Sequence, residues 1–528
     1  MRKLSVIIFC GIFAAASFTG CTNENDIIEQ APNAADNSPY PISDVQMMAS
    51  GYVGTEVKAE ALTRAPGSEL KPGDITVKNL TEEEAMAFDE NKAGKGGTSL
   101  FFMYKWATLN YRCKSADGTM KDLSELVVWP YRIIGNDTPS QLVIGCHSTI
   151  TSDAQRPTNF SEHSSAGEIN MLALFTSSCS QNALIIVPDY EGYGSTVTSA
   201  HPYCDRELTA EQVVTGARAG LKWFEEKVKK MDSNWSAVAI GYSQGGAVAA
   251  GVLRYCQKKN LSTLRLKGAV CGDGPYDPLA TLRQYITMDK LYMPVAPALL
   301  LKGMIDTDKD MRAMGCTVQD FVTEKFYKTG IFDMIQSKQK STDDIQTALL
   351  EHSFKNGDNG GFIMMAESNE GFLPYTQKNV VNAGGAKRTF KLDNGKGHNY
   401  CTVDQCFKPG VIAYFKDGTI TGDVPEAMLK TLERALAKNA LTADHFVPGA
   451  GFTFFHSVGD EVVPYCNLES VRNTWGTQTC KYVTYKSNTT LHVSTGASFL
   501  ASYCGNLVGE ILNDKWQPSN ETMKGILW

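Results

Sequence analysis

The sequence predicts an α/β protein with a mostly parallel central sheet, helices on both faces and one large inserted helical segment. Two observations carry this prediction. From Ser99 onward, short apolar runs of strand length alternate with longer runs of helical spacing, which is typical of parallel sheets covered on both sides. The alternation stops after Asp277, and the buried-strand pattern returns only at Gly451. The stretch between them therefore predicts an insertion.

The first 21 residues predict an export signal. Met1-Arg2-Lys3 is basic, the apolar run 4–18 follows, and Thr19-Gly20-Cys21 ends it. The run is too short to span a membrane comfortably as a mature helix. The Gly-Cys end resembles a bacterial lipobox, which implies a lipid anchor on Cys21, although a plain signal peptide with a chance cysteine is the alternative. We expect an exported protein, anchored to a bacterial membrane and facing the periplasm or the cell surface.

Residues 22–70 are rich in Asn, Asp, Glu, Ala, Pro and Ser and show no sustained period, so we predict a disordered tether. Two parts of one core follow, at 71–275 and 446–528. Between them lies the helical insertion 276–445, called the cap below. The net charge of −7 is spread without long runs, which argues against a nucleic-acid partner.

The core strands and helices follow from the length and spacing of the apolar runs. The run 209–230, for example, places Val213, Ala217, Leu221 and Phe224 along one face of a helix. Strands are predicted over 100–113, 123–129, 141–146, 183–187, 236–240, 266–271, 451–456 and 481–485. Core helices are predicted over 169–179, 209–230, 247–255 and 499–512, and cap helices over 281–293, 318–326 and 426–438.

A predicted strand, a tight turn and a predicted helix meet at Gly241-Tyr242-Ser243-Gln244-Gly245-Gly246. A serine hydroxyl becomes an effective nucleophile where it projects from a sharp strand-to-helix turn within reach of a base. Glycines two residues before and after Ser243 remove the Cβ atoms that such a turn would crowd. The motif predicts Ser243 as a nucleophile, with an ordinary turn as the alternative.

An acid and a base follow Ser243 along the chain. Asp460 lies on the turn after a predicted strand, and Val-Val-Pro fixes the loop behind it. His492 comes just beyond the last predicted strand. We expect His492 to accept and return the Ser243 proton, and Asp460 to fix the imidazole tautomer and stabilise the imidazolium. Asp273 is an alternative acid, and Glu461 is a weaker one.

Backbone N–H groups are expected to form the oxyanion hole. One is the N–H of Gln244, which follows the nucleophile. The second is expected in the loop after the strand 141–146, where we favour the N–H of Thr149 over that of Ser148. The loop 189–194 is predicted to lie at the same sheet edge, either as structural turn chemistry or in contact with substrate.

The other candidate histidines are predicted to be structural: His147, His163, His201, His398 and His456. His398, Cys401 and Cys406 resemble metal ligands, but no convincing fourth ligand accompanies them, so no metal is predicted. Twelve cysteines lie downstream of Cys21, and export permits disulfides among them. The first pairs to test are Cys401 with Cys406 and Cys466 with Cys480.

Five stretches together resemble the α/β-hydrolase superfamily, and within it the sequence is similar to the secretory-lipase group. They are 146–149, 188–194, 241–246, 459–464 and 491–492, and Ser148 stands where that group tends to have glycine. The resemblance implies a serine carboxylic-ester hydrolase, an esterase or lipase, that needs no cofactor and carries a large helical cap.

Other functions stay open on the sequence alone. A deacylase of acylated glycans, a serine peptidase or acyl-transfer enzyme on the same fold, and a non-catalytic binding protein are the alternatives. The peptidase alternative lacks a propeller repeat, and the order serine, acid, histidine argues against a binding protein. The apolar cap runs 292–304 and 361–365 either line a substrate pocket or pack the core of the cap. Chain length and oligomeric state do not follow from the sequence.

Overall fold

The computed structural model describes residues 45–58, 75–85, 99–131, 137–159, 182–357, 360–366, 376–381, 387–392, 399–486 and 492–524. An eleven-stranded mixed sheet lies at the centre, and two two-stranded sheets lie apart from it. The strands are β1 Gln46–Lys58, β2 Ile75–Leu80, β3 Ser99–Lys114, β4 Met120–Pro130, β5 Gln141–Cys146, β6 Ala183–Pro188, β7 Ser236–Tyr242, β8 Leu266–Gly272, β9 Met365–Ala366, β10 Thr376–Val381, β11 Lys387–Leu392, β12 Asn399–Tyr400, β13 Phe452–Ser457, β14 Lys481–Lys486 and β15 Ser519–Lys524.

The order of the strands brings the predicted site residues to one edge of the sheet. The order is β15-β14-β13-β8-β7-β5-β6-β4-β3-β1-β2. The seven strands from β15 to β6 are parallel, and β4, β3, β1 and β2 are added in antiparallel fashion. In a parallel sheet the carboxyl ends of the strands lie together, so the loops after β5, β7, β13 and β14 share an edge. The predicted mostly parallel α/β architecture is confirmed.

Neighbouring residues of the central strands face opposite layers. Leu142 and Ile144 of β5 pack in one cluster with Val213, whereas Val143 packs in another cluster with Val508. Successive side chains of a strand alternate between faces, and here both faces are covered by helices. This explains why the strands read as continuous apolar runs.

The helices cover both faces of the sheet and fill the cap. They are α1 Arg206–Lys227, α2 Gln244–Lys259, α3 Pro278–Met288, α4 Val295–Thr307, α5 Lys309–Ala313, α6 Glu324–Tyr327, α7 Ile331–Ser337, α8 Thr342–Asn356, α9 Val403–Cys406, α10 Pro409–Asp417, α11 Glu426–Lys438, α12 Cys466–Trp475, α13 His492–Ser498 and α14 Cys504–Leu512. Short 3₁₀ turns lie at Asp153–Gln155, Pro157–Asn159, Gly194–Thr196, Val318–Asp320 and Ala443–His445. None of the helices in the described residues is long and apolar enough to cross a membrane.

The cap helices α3 to α11 bury a core of their own, which includes Leu301, Phe321, Phe362 and Leu432. The predicted run 318–326 is not one helix. Thr323 caps the N-terminus of α6 by accepting the N–H of Phe326, so the chain leaves a 3₁₀ turn and starts a new helix there. The cap also contains the strand pairs β9–β12 and β10–β11, which the prediction of a helical cap missed.

The two ends of the sheet differ most from the prediction. The predicted tether 22–70 is wrong over Gln46–Lys58, because this strand pairs along β3 and buries Val53. The strand β15 was also missed; it pairs in parallel with β14 beyond the strand predicted to be the last. Edge strands bury little apolar surface, so their sequences lack a strong alternation.

The predicted closing helix 499–512 starts with a π-helical segment, Phe499–Tyr503, and only then becomes α14. The predicted helix 169–179, the signal and Cys21 lie outside the described residues. All eleven described cysteines are free thiols, although the Cys401 and Cys406 sulfurs lie 3.5 Å apart.

Candidate active site

Ser243 occupies a strained turn between β7 and α2. Its φ of 58° and ψ of −128° lie in a region that residues with a side chain rarely adopt. The turn is possible because its neighbours are glycines: a Cβ on Gly241 would overlap the Gly245 carbonyl oxygen, and a Cβ on Gly245 would overlap that of Cys146. The glycine spacing therefore serves the steric purpose that the sequence predicted.

His492 and Asp460 continue a hydrogen-bonded chain from Ser243. The Ser243 Oγ lies 2.8 Å from His492 Nε2, and His492 Nδ1 lies 2.5 Å from Asp460 Oδ2. A carboxylate only accepts, so Nδ1 carries the proton and Nε2 is free to accept from the serine hydroxyl. All three side chains are buried. The structure thus brings together the three residues that the sequence predicted, and such a chain can move a proton from the serine to the imidazole.

Backbone N–H groups hold Asp460 in place. Its Oδ1 accepts the N–H of Val462 at 2.9 Å and that of Val463 at 2.6 Å, which leaves Oδ2 to face the imidazole. Burial and the neighbouring Asp273 carboxyl raise the pKa of Asp460 well above its usual range, and the two N–H groups oppose that shift. Burial lowers the pKa of His492, while Asp273 and Glu461 act in the opposite direction. A neutral imidazole is the form that can accept a proton.

Solved structures with a similar fold are esterases and lipases. The rice cell wall degrading esterase LipA of Xanthomonas oryzae aligns with a TM-score of 0.54 at 16% identity over 89% of this chain and 98% of LipA. A Legionella pneumophila protein with a provisional hydrolase name gives 0.56 at 15% identity over 89% of this chain and 99% of its own. Candida antarctica lipase A gives 0.51 at 11% identity over 80% and 81%. The chain has the α/β-hydrolase fold.

No protein-family model and no curated protein sequence matches this α/β-hydrolase. The similarity is therefore one of structure at low identity, and it confirms the superfamily and the likeness to lipases on which the sequence comparison rested.

The predicted oxyanion residues lie beside the same turn. Gln244 begins α2, so its backbone N–H has no acceptor within the helix. Ser148 and Thr149 follow β5 and line one cavity with Ser243. Their role as donors stays a prediction. The side-chain amide of Gln244 has a separate task, since its Nε2 lies 2.8 Å from His201 Nε2.

The described rival histidines are held in structural contacts. His201 Nδ1 lies 2.8 Å from the carbonyl oxygen of Glu191, and burial lowers the pKa of His201 to about 3. His147 stacks on Tyr190, and burial lowers its pKa to about 4. His456 Nε2 lies 2.9 Å from the carbonyl oxygen of Val463. His163 and His398 lie outside the described residues.

The loop 189–194 is anchored rather than open. Asp189 is fully buried and accepts the Thr158 N–H at 2.8 Å and the Ser124 hydroxyl at 2.5 Å. Burial raises its pKa to about 6. Of the two predictions for this loop, these contacts correspond to structural turn chemistry.

Sequence reasoning gave no role to Tyr242 and treated Glu461 only as a weak alternative acid. The Tyr242 hydroxyl lies 2.6 Å from the carbonyl oxygen of His492 and 2.8 Å from Asp273 Oδ2. Glu461 Oε2 accepts the backbone N–H of His492 at 2.9 Å. Both residues stand next to motif residues, but their partners are distant in sequence, so no local pattern could have identified these contacts.

Asp273, Asp460 and His492 have ligand-type atoms within 4.8 Å of one another, which is a spacing compatible with a metal. Both ring nitrogens of His492 already contact Asp460 and Ser243, however. The three groups therefore form a hydrogen-bonded cluster.

A cavity of about 400 Å³ opens at Ser243. The cap helix α4 contributes Val295, Ala296, Leu299 and Leu300 to its wall, whereas Leu301 of the same helix packs in the cap core. Both interpretations of the run 292–304 thus apply, one to each side of the helix. Further apolar lining comes from Tyr203, Tyr285, Met293, Val462, Val463, Val493 and Leu500, and polar lining from Gln155, Ser341, Thr342 and Asp343.

Proposed function

We propose that this α/β-hydrolase is a serine carboxylic-ester hydrolase. The observation that carries the proposal is the buried chain of hydrogen bonds from Ser243 through His492 to Asp460. In the proposed reaction the Ser243 oxygen attacks the ester carbonyl while its proton passes to His492 Nε2. The alcohol then leaves with that proton, and the acyl group stays on Ser243.

Water completes the reaction by the same groups in reverse. His492 removes a proton from water, the resulting hydroxide attacks the acyl carbonyl, and the proton returns to the Ser243 oxygen as the acid departs. Asp460 keeps the Nδ1 proton in place and stabilises the imidazolium formed twice in each cycle. The N–H groups of Gln244 and Thr149, with Ser148 as the alternative to Thr149, are proposed to hold the oxyanion.

The cavity supports an ester whose acyl group is apolar. Its wall around Ser243 is built from Leu, Val, Met and aromatic side chains, which suit a hydrocarbon chain rather than a charged group. The reaction as proposed needs no metal and no other cofactor, because serine, imidazole and backbone N–H groups provide the nucleophile, the base and the oxyanion donors.

Removal of acyl groups from glycans is the second candidate. Gln155, Ser341 and Asp343 give one side of the cavity a polar lining that could meet sugar hydroxyls. The structural neighbour LipA is a cell wall degrading esterase, which places an esterase of polymeric carbohydrate surroundings on this fold. The same triad would serve both substrates.

A panel of esters tests the proposal and separates its two candidates. Purified protein is assayed on esters from acetyl to long acyl and on acetylated and feruloylated glycans. Turnover of simple esters that disappears in Ser243→Ala is expected, with Ser233→Ala, an exposed serine before β7, as the matched control. Faster turnover of the acylated glycans would favour the second candidate, and unchanged activity of Ser243→Ala would exclude both.

We further propose that Cys21 anchors the protein to a bacterial membrane, as the lipobox-like sequence supports. The full chain and its Cys21→Ala variant are expressed in a bacterium with lipoprotein processing, and membrane and soluble fractions are compared. Retention of the variant in the membrane fraction would contradict the proposal.

A further inference from the structure

Two carboxyl groups, rather than one, lie beside the imidazole of His492. Asp273 follows β8 and Asp460 follows β13, and both are buried. Their oxygens and a His492 nitrogen lie within 4.8 Å of one another. Two buried like charges at this distance repel strongly, and one of the pair then retains a proton.

The hydrogen bonds differ between the two carboxyls. Every contact of Asp460 comes from a donor: the N–H groups of Val462 and Val463 on Oδ1 and the Nδ1–H of His492 on Oδ2. Donors favour the ionised form. Asp460 is therefore the carboxyl that carries the charge.

Asp273 has one contact that a carboxylate cannot complete. Its Oδ1 accepts the N–H of Ser457 at 2.9 Å, but its Oδ2 lies 2.8 Å from the Tyr242 hydroxyl. That hydroxyl has one proton and also lies 2.6 Å from the His492 carbonyl oxygen, which can only accept. A proton on Asp273 satisfies both contacts, because Asp273 then donates to the Tyr242 oxygen while Tyr242 donates to the carbonyl.

We propose that Asp273 and Asp460 hold one proton between them, on Asp273, and that Asp273 is a positioning residue that ionises in support of His492 when Asp460 is lost. The inference rests on the proposed function for its catalytic consequence. Among the described residues, His492 is the cationic partner within ion-pair distance of Asp460. The other titratable groups that face the pair are Tyr242 from β7, His456 from β13, and Glu461 from the loop after β13.

The imidazole pKa of His492 tests the shared proton without any need for activity. It is measured by NMR titration of labelled histidine, with the His492 signal assigned by its loss in His492→Gln. In Asp273→Asn and in Asp460→Asn one negative charge remains, so the imidazole pKa is expected to stay within about 0.5 units of wild type. In the double variant no charge of the pair remains, and the pKa is expected to fall by about one unit or more.

Two results would overturn the proposal. A fall of about one unit in Asp273→Asn alone would mean that both carboxyls are ionised in the wild type. Equal pKa values in Asp460→Asn and the double variant would mean that Asp273 does not respond to the loss of Asp460. Asparagine has the shape of the protonated acid, so these variants keep the packing, and melting temperatures check it.

Activity provides a second readout of the same idea. Asp460→Ala leaves the Nδ1 proton free to turn to Asp273, whereas Asp460→Asn places an amide donor against it and forces the wrong tautomer. We expect kcat/KM of Asp460→Ala to exceed that of Asp273→Asn/Asp460→Ala by about tenfold or more, at unchanged KM. Equal values would contradict the takeover by Asp273, while the proposed function would fail only if Ser243→Ala retained ester turnover.

Discussion

The sheet edge and the cap contribute to the same cavity in different ways. At the sheet edge, Ser243, Asp460 and His492 follow three different strands and are fixed by buried hydrogen bonds. In the cap, α4 presents apolar side chains to the cavity from one side and packs its other side into a separate core. The chemistry therefore depends on a few polar contacts, and the choice of substrate on the shape of an apolar wall. Substitutions in the two regions should affect different kinetic constants.

The largest effect is expected for Asp460→Asn at the sheet edge. Val462 and Val463 donate to Oδ1, so the new amide group would face His492 Nδ1 and shift the ring proton to Nε2. We expect kcat to fall by about 10⁴-fold with little change in melting temperature. Steady-state kinetics checks this, with Asp333→Asn on the exposed face of α7 as control. Near-normal turnover would assign the role of the acid to Asp273 or Glu461.

The second effect is the pH dependence of catalysis. Burial lowers the pKa of His492 below its ordinary value of 6.5, and the base must be neutral to accept the Ser243 proton. The rate therefore stays high as the pH falls to 6.5 and is lost only below it. We expect the acid limb of kcat/KM to have its midpoint below 6.5 and a slope of about tenfold per pH unit. A midpoint above 6.5 would show that the carboxyl groups, and not burial, dominate the imidazole.

A substitution in the cap wall tests the other side of the comparison. Leu300 and Leu301 are neighbours on α4 and equally buried, but only Leu300 lines the cavity. Both alanine variants should lose about 2–5 kcal/mol of stability. We expect only Leu300→Ala to raise kcat/KM for longer acyl chains relative to short ones, by several-fold. A parallel shift in Leu301→Ala would mean that the cap core, and not the wall, selects the substrate.

The smallest effect concerns Glu461, whose pKa burial raises from 4.5 to about 8. The folded protein holds this proton between pH 4.5 and 8 whereas the unfolded chain releases it, so stability falls as the pH rises through this range. The slope is at most about 1.4 kcal/mol per pH unit. We expect Glu461→Gln to gain a few degrees of melting temperature over wild type at pH 8 and not at pH 4.5. The exposed Glu469→Gln is the control, and an equal gain at both pH values would contradict this account.

The sequence predicted the sheet edge better than the periphery, for a physical reason. Gly241, Ser243 and Gly245 are required by local sterics, so the turn is visible in six residues. The strands that carry Ser243 and Asp460 are buried on both faces and read as clear apolar runs. Gln46–Lys58 and Ser519–Lys524 lie at or near the ends of the sheet, where pairing is decided by a distant partner rather than by local pattern.

Contacts between distant segments were the other limit. The bond from Tyr242 to the His492 carbonyl joins residues 250 apart in the sequence, and the division of α4 between cavity and core depends on how the cap packs. An apolar run shows that a helix is buried but not which neighbour buries it. The role of Asp273 beside Asp460 became visible only when β8 and β13 were seen to be adjacent.

The covalent adduct of a fluorophosphonate with the protein tests the central claim most directly. Peptide mapping by mass spectrometry is predicted to find one phosphonate per chain, on Ser243, and none on Ser243→Ala at an unchanged melting temperature. An adduct on any other residue, or persistent labelling of Ser243→Ala, would contradict the account of Ser243 as the nucleophile of an ester hydrolase.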